Sequence, residues 1–216
     1  MILAAGRGER MRPLTDTLPK PLVCVRGKPL IVHHLEKLAR SGVRRVVINL
    51  AWLGSRLRER LGDGSTWQLQ IRYSEEGEQA LETGGGIFRA LPLLAAEPVA
   101  EPFLVVNGDV FTDFDFASLA IAPEALAHLV MVPNPAHHPQ GDFALRDGRL
   151  WAQGDALWTY AGIGLYRPQL FEGCRDGRFP LLPLLQRAMA AGRLHGQLYR
   201  GPWSDVASMQ LLAALQ

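Results

Sequence analysis

The chain has 216 residues, 48% of them apolar and 20% charged, a globular mixture that excludes a disordered chain and is long enough to bury a core without staples. Lys and Arg number 23 against 21 Asp and Glu, so the formal charge is +2; no broad basic face for duplex nucleic acid exists, while a local positive pocket stays open. The two cysteines, Cys24 and Cys174, form no CxxC pair, which argues against a disulfide scaffold or zinc site and fits a reducing cytoplasm.

No run reaches the ~20 consecutive apolar residues of a membrane helix. The opening Met1–Ala5 is too short for a signal-peptide core and reads as a buried strand, so abrupt that a natural start one or two residues upstream is expected. Leu30, Ile31, His34, Leu35, Leu38 and Ala39 share one face of a helix that stops near Gly42. Val43–Leu50 reads as a strand, Leu53–Leu61 as a basic helix closed by Gly62, and Gln68–Tyr73 as a strand. Ile87–Leu94 is helical up to an interruption at Pro92, the Ala-Pro-rich 93–102 reads as a connection, and Phe103–Asn107 is a strand running into Gly108-Asp109.

Further on, His128–Val132, Asp142–Arg146, Tyr160–Tyr166 and Leu194–Tyr199 read as strands, and Leu181–Ala191 and Ser208–Leu215 as helices. Alternating strands and helices predict an α/β fold: a single Rossmann-like domain over 1–216 with a mixed, mostly parallel sheet flanked by helices. The second half is expected to supply most of a substrate lid.

The segment Leu3-Ala4-Ala5-Gly6-Arg7-Gly8-Glu9-Arg10-Met11 follows the first strand directly. Its small residues allow close approach of a ligand to backbone N–H groups, and Arg10 adds a forked donor for phosphate oxygens. A dinucleotide fingerprint needs a third glycine where Met11 stands, and a P-loop needs Gly-Lys-Ser/Thr; a plain βα turn stays open. Next, Pro19 and Pro21 fix the backbone around Lys20, a rigid mount for an ammonium. Asp109 ends a strand, where open α/β sheets bind ligands, although a turn-capping Asp looks the same.

The run LAAGRGERMRPLTDTLPKPLVCVRGKPLI resembles the opening signature of the sugar-1-phosphate nucleotidyltransferases: a G-x-G-x-R loop, Pro-Leu-Thr, then Pro-Lys-Pro-Leu. The resemblance implies Lys20 and Arg10 as catalytic groups, and a nucleotide site made of Leu3, Ala4, Ala5, Gly6, Gly8, Glu9, Arg10, Lys20, Thr83, Gly84 and Asn107. Thr83 and Gly84 belong to Leu81–Gly86, which resembles the family's base-recognition turn with Glu82 replacing a glycine.

Trp203-Ser204-Asp205-Val206-Ala207-Ser208 resembles its late W-x-D-V-G-T element, with Ala207 and Ser208 in place of Gly and Thr. The resemblance implies Mg²⁺ on Asp109 and Asp205, and Mg²⁺ takes one or two carboxylates plus substrate phosphates. Asp113 and Asp115 are expected to face solvent or cap the next turn. Asn107, Gly141, Asp142 and Gly162 are implied at the sugar; Tyr160 stands where the family has Asn, and the Glu-Lys-Pro triplet of many members, with its phosphate-gripping lysine, is absent from Arg149–Thr159.

His137-His138 reads as surface loop, since neighbours on an extended chain point opposite ways. Trp52, Trp67, Trp151 and Trp158 read as packing residues, and Tyr199-Arg200-Gly201 leads into the Asp205 turn.

Over the whole chain, segments such as INLAWLG, LETGGGIF and HHPQGDF resemble the short uridylyltransferase branch of the family, which serves cell-wall recycling. This implies UTP and N-acetylmuramic acid 1-phosphate as partners, pyrophosphate as product, no nucleic acid or membrane, and a monomer or weak dimer. Residues 1–110 would be mainly the nucleotide-binding half and 111–216 the sugar-binding half. A guanylyltransferase for mannose or heptose 1-phosphate, and a nucleotide-sugar sensor without catalysis, stay open.

Overall fold

The computed structural model describes residues 1–94 and 101–216, so the connection expected over 93–102 lies largely outside the described residues. The chain begins with β1 (Ile2–Leu3), a short helix α1 (Leu14–Thr17), the ribbon β2 (Cys24–Val25) and β3 (Lys28–Pro29), then α2 (Leu30–Arg40), β4 (Arg45–Leu50), α3 (Gly54–Leu61) and β5 (Gln70–Glu75). It continues with α4 (Glu82–Leu94), β6 (Phe103–Asn107), β7 (Val110–Thr112), β8 (Ala127–Val132), β9 (Ala144–Arg146) and β10 (Arg149–Trp151). Last come β11 (Thr159–Tyr166), α5 (Leu182–Ala190), β12 (Leu194–Leu198), β13 (Trp203–Asp205) and α6 (Met209–Ala213).

Nine strands form one sheet in the order β5-β4-β1-β6-β11-β8-β12-β10-β9. The block β5-β4-β1-β6 is parallel throughout, and β8 and β12 pair parallel; β11 and β10 alone run against the others. This is the mixed, mostly parallel α/β sheet the periodicity predicts. The period of two along buried strands sorts side chains to opposite faces. Val46 and Ile48 of β4 join a core under α2 and α3, while Val47 joins the core on the α4 and α5 side; Val106 and Val105 of β6 divide the same way. A third, smaller cluster joins Met11, Val23, Val25 and Leu30 to Val206 and Leu212.

The helices differ from the periodicity in two places. The Thr83–Gly86 run is the start of α4, not a turn ahead of it, and α4 runs through Pro92 to Leu94. The glycines are there because neighbours press on the helix: a Cβ would lie 2.6 Å from the Phe179 ring at Gly84, 2.2 Å from the Gly177 carbonyl at Gly85 and 2.4 Å from Glu76 Oε1 at Gly86. Pro92 is tolerated two residues from the helix end, where its missing N–H costs a single hydrogen bond.

α2 turns Leu30, Ile31, His34, Leu35 and Leu38 inward, and His34 packs against the ring of Phe116 at 6.3 Å. Burial, reinforced by the charge of Lys37, pushes the His34 pKa down to about 4. Between pH ~6.5 and ~4 the unfolded chain therefore binds a proton at His34 that the folded chain does not, and stability falls as the pH drops through that window. Urea unfolding at pH 7 and pH 4.5 is expected to show the unmodified chain losing about 2–3 kcal/mol more than His34→Leu over that interval.

Candidate active site

Parallel strands that end at one edge of the sheet leave a crevice there, and ligands of open α/β folds bind beyond those carboxyl ends. β1, β4, β5 and β6 all end at a cavity of about 520 Å³, bordered by Leu3 to Arg10, Lys20, Asn49, Glu76, Thr83, Asn107 and Asp109. Every nucleotide-site residue expected from the sequence borders this cavity except Gly84, which is buried against Phe179.

The loop after β1 is shaped by Gly8, whose φ of 70° starts a single 3₁₀ turn over Glu9–Met11. Thr15 Oγ1 donates to the Gly8 carbonyl at 2.8 Å, tying the loop to α1. Arg7 lies over the Trp52 ring, its guanidinium carbon 4.2 Å from the ring centroid, and the indole N–H of Trp52 donates to the Thr15 carbonyl at 3.0 Å. Trp52 is thus a platform for a cavity-lining arginine and not only a packing residue. Trp67 and Trp158 do pack against the cores, and Trp151 is 43% exposed.

Pro19 precedes a 3₁₀ turn over Lys20–Leu22, which aims the Lys20 side chain inward until it is 11% exposed. There Lys20 Nζ donates to Asp109 Oδ2 in a short ion pair. Asp109 follows β6 by two residues, and Gly108 N–H donates to the Leu3 carbonyl at 2.8 Å, which holds this turn against the end of β1.

Asp205 reaches Asp109 through a two-stranded antiparallel ribbon. β13 pairs with β7 so that Asp205 stands opposite Val110, and Val206 N–H donates to the Asp109 carbonyl at 2.8 Å. Asp205 itself does not border the large cavity, although Ala207 does. Among the described residues no group of three or more His, Cys, Asp and Glu is arranged to hold a metal. Two carboxylates suit a hard cation that keeps water and phosphate ligands, and the ribbon sets Asp205 opposite Val110, next in the chain to Asp109, with Asp205 Oδ1 buried.

Asn49 and Glu76 are site residues that sequence reasoning missed. Asn49 Oδ1 accepts from Ala4 N–H at 2.7 Å, and its Nδ2 donates to Glu76 Oε1 at 2.6 Å. Glu76 Oε2 accepts from Leu81 N–H at 2.7 Å. One buried chain of hydrogen bonds thus ties the glycine loop to the start of α4. Asn49 lies near the end of β4 and Glu76 just after β5, and the parallel pairing of the two strands makes them neighbours.

A second cavity, of about 470 Å³, shares Glu82, Thr83 and Asn107 with the first. Asp142 borders it with an apolar wall of Phe143, Tyr160, Pro180, Leu181, Leu182 and Leu185. Gly141 and Gly162 border neither cavity. Gly162 sits in a β-bulge of β11 at φ 71°, where a Cβ would lie 2.6 Å from Asn107 Nδ2, so its bare backbone makes room for that side chain. The Tyr160 hydroxyl points away to the Tyr166 hydroxyl at 2.7 Å, and burial raises the pKa of both phenols.

The histidine dipeptide lies on a surface loop, as expected, and both rings face carboxylates. His137 Nε2 lies 3.1 Å from Asp205 Oδ2 and His138 Nε2 lies 3.0 Å from Asp142 Oδ1. Asp115 caps the turn over Phe116–Ser118, as expected, and Asp113 is exposed.

Residues 1–143 match the family described as Nucleotidyl transferase, and the chain belongs to that family. It is 48% identical to the N-acetylmuramate alpha-1-phosphate uridylyltransferase of Neisseria meningitidis serogroup B, over 100% of this chain and 96% of that protein. It is 37% identical to the enzyme of the same name from Caulobacter vibrioides, over 100% and 94%. The fold is shared with HddC from Yersinia pseudotuberculosis, solved in complex with GMP-PN, at a TM-score of 0.78 and 20% identity over 99% of this chain and 96% of that one. No helix among the described residues is long and apolar enough to cross a membrane.

Replacing Asn49 by Ala would leave the Ala4 N–H and one Glu76 oxygen buried without a partner. The expected cost is about 2–4 kcal/mol of unfolding free energy in urea, with faster hydrogen exchange at the Ala4 and Leu81 amides.

Proposed function

We propose that this chain transfers UMP from UTP to N-acetylmuramic acid 1-phosphate, giving UDP-N-acetylmuramic acid and pyrophosphate. The observation that carries this reading is the convergence of Lys20, Asp109 and the Gly6–Arg10 loop on one cavity at the carboxyl ends of four parallel strands. Full-length kinship to two enzymes named for the same uridylyl transfer supports the choice of base and sugar over a guanylyltransferase. A sensor without catalysis would need neither the ammonium nor the paired carboxylates.

In this reading the first cavity takes the nucleotide and the second takes the sugar. Most of the nucleotide contacts come from residues 1–110, with residues 111–216 contributing Asp142 and the apolar wall to the sugar side. The acidic side chain of Asp142 would accept from sugar hydroxyls, and the wall of Phe143 and Leu182 would receive methyl groups of the sugar's substituents.

The reaction is an in-line displacement. An oxygen of the sugar phosphate forms a bond to the α-phosphorus, the α–β P–O bond breaks, and pyrophosphate leaves with the electron pair. A phosphate monoester loses its second proton near pKa ~6, so the attacking oxygen is anionic at neutral pH and no general base is required. The protein's task is to hold two polyanions together and to meet the charge that develops between them. Backbone N–H groups of the Gly6–Arg10 loop and the Arg10 guanidinium would hold the β and γ phosphates. Lys20, kept short of solvent by its prolines, would face the α-phosphate and the sugar phosphate. Asp109 and Asp205 would hold a divalent cation, which we take as Mg²⁺; when bound it supplies charge neutralisation at the phosphoryl oxygens.

Pyrophosphate release with UTP, Mg²⁺ and a panel of sugar 1-phosphates tests the reading. Release with N-acetylmuramic acid 1-phosphate is expected; release only with GTP and mannose 1-phosphate would replace the substrate pair, and no release at all would favour a sensor. Lys20→Ala is expected to lower kcat by about 10²-fold or more with an unchanged circular dichroism spectrum. Asp109→Asn and Asp205→Asn are expected to raise the Mg²⁺ concentration for half-maximal activity at least about tenfold, read by metal titration.

A further inference from the structure

The loop between β8 and β9 carries two imidazoles that the transfer chemistry leaves unused. We infer that His137 and His138 are positioning residues: His137 holds the Asp205 carboxylate for the divalent cation, and His138 holds Asp142 for the sugar, so that one loop sets both sides of the acceptor site. The inference rests on the transferase reading for the roles of the two carboxylates and goes beyond it in assigning what orients them.

The geometry is specific. A carboxylate at neutral pH only accepts hydrogen bonds, so both imidazoles must carry their hydrogen on Nε2. His137 Nε2 lies 3.1 Å from Oδ2 and 3.0 Å from Oδ1 of Asp205, so the imidazole faces both oxygens and sets the orientation of the carboxylate as a whole. The remaining lone pairs of those oxygens are what a cation would meet. His138 takes Oδ1 of Asp142, while Oδ2 accepts from Tyr160 N–H at 2.7 Å. Asp142 is gripped at both oxygens, and each keeps a lone pair for a sugar hydroxyl. The dipeptide lies in a turn closed by His138 N–H donating to the Pro135 carbonyl at 2.9 Å, and from there the two rings reach two carboxylates far apart in the sequence.

The loop that presents them is built to stay in place. Asn134 Nδ2 donates to the carbonyls of Pro139 at 3.1 Å and Leu157 at 2.9 Å, and Asn134 Oδ1 accepts from Thr159 Oγ1 at 2.9 Å. These bonds close the loop base onto the start of β11. Half-exposed ion pairs contribute little to stability, so the value of these contacts lies in orientation rather than in folding energy. Hydrogen-bonded partners of metal-binding carboxylates act in this way.

The test compares His137→Ala, His137→Gln, His138→Ala and His138→Gln with the unmodified protein. Gln places an amide N–H near the position of Nε2 and is the conservative rescue. Mn²⁺ binding without substrates is read by electron paramagnetic resonance, and KM for UTP and for N-acetylmuramic acid 1-phosphate by pyrophosphate release. His137→Ala is expected to weaken Mn²⁺ binding about tenfold or more and His137→Gln to recover most of it. His138→Ala is expected to raise KM for the sugar 1-phosphate about tenfold while KM for UTP stays put, and His138→Gln to reverse the rise. Unchanged Mn²⁺ binding in His137→Ala, an equal rise of both KM values in His138→Ala, or no rescue by Gln would overturn the assignment. If the unmodified protein releases pyrophosphate with no sugar 1-phosphate at all, the transferase reading fails instead, and the Mn²⁺ arm still decides His137.

Discussion

The ion pair between Lys20 and Asp109 organises the mouth of the cavity. Each partner sits on a turn with little regular structure of its own, one between two prolines and the other just past β6. Their attraction is strengthened because Lys20 is nearly out of solvent, and it joins the segment after the glycine loop to the end of the central strand. With that contact made, the Lys20 side chain lies close under Gly8 of the loop, and a third segment, β13, is tied to the Asp109 carbonyl through Val206 N–H. The Lys20 ammonium at the cavity has its charge met by an acid of the same chain, so no uncompensated charge is stored there.

Much of this was readable from the chain alone, because the signals were periodic or chemically rare. The strand at Val43–Leu50 was carried by its apolar centre Val46–Ile48, that at Phe103–Asn107 by the run Phe103–Val106, and the helix over Leu30–Arg40 by its single apolar face. Lys20 stood out because two prolines are an unusual frame for a lysine. The misreading at 84–86 concerns residues whose neighbours come from elsewhere in the fold. The glycines at 84–86 read as a turn since glycine commonly makes turns, yet here they answer to Phe179, Gly177 and Glu76, which no local pattern reveals.

Asn49, Glu76, His137 and His138 escaped for the same reason. An Asn at the end of a strand and a Glu just after another carry no motif, and only the parallel pairing of β4 with β1 and β5 sets their side chains together. The two histidines do lie on a surface loop, but the carboxylates they face, Asp205 and Asp142, come from elsewhere in the chain and carry no local signal. The first cavity was more readable than the second because much of its lining lies in one contiguous stretch after β1, whereas the second is assembled from β6, α4, the turn before β9, β11 and α5.

The ribbon of β7 and β13 also sets an order of events. Val110–Thr112 waits for a partner nearly a hundred residues downstream, and loop closure over that span is slow compared with local helix formation. The chain ahead of Trp203 carries Asp109 but not Asp205, and it also lacks Val206 and Leu212, which pack with Met11, Val25 and Leu30 beside the glycine loop. The carboxyl-terminal segment is thereby tied both to the turn at Asp109 and to the smaller core next to the cavity.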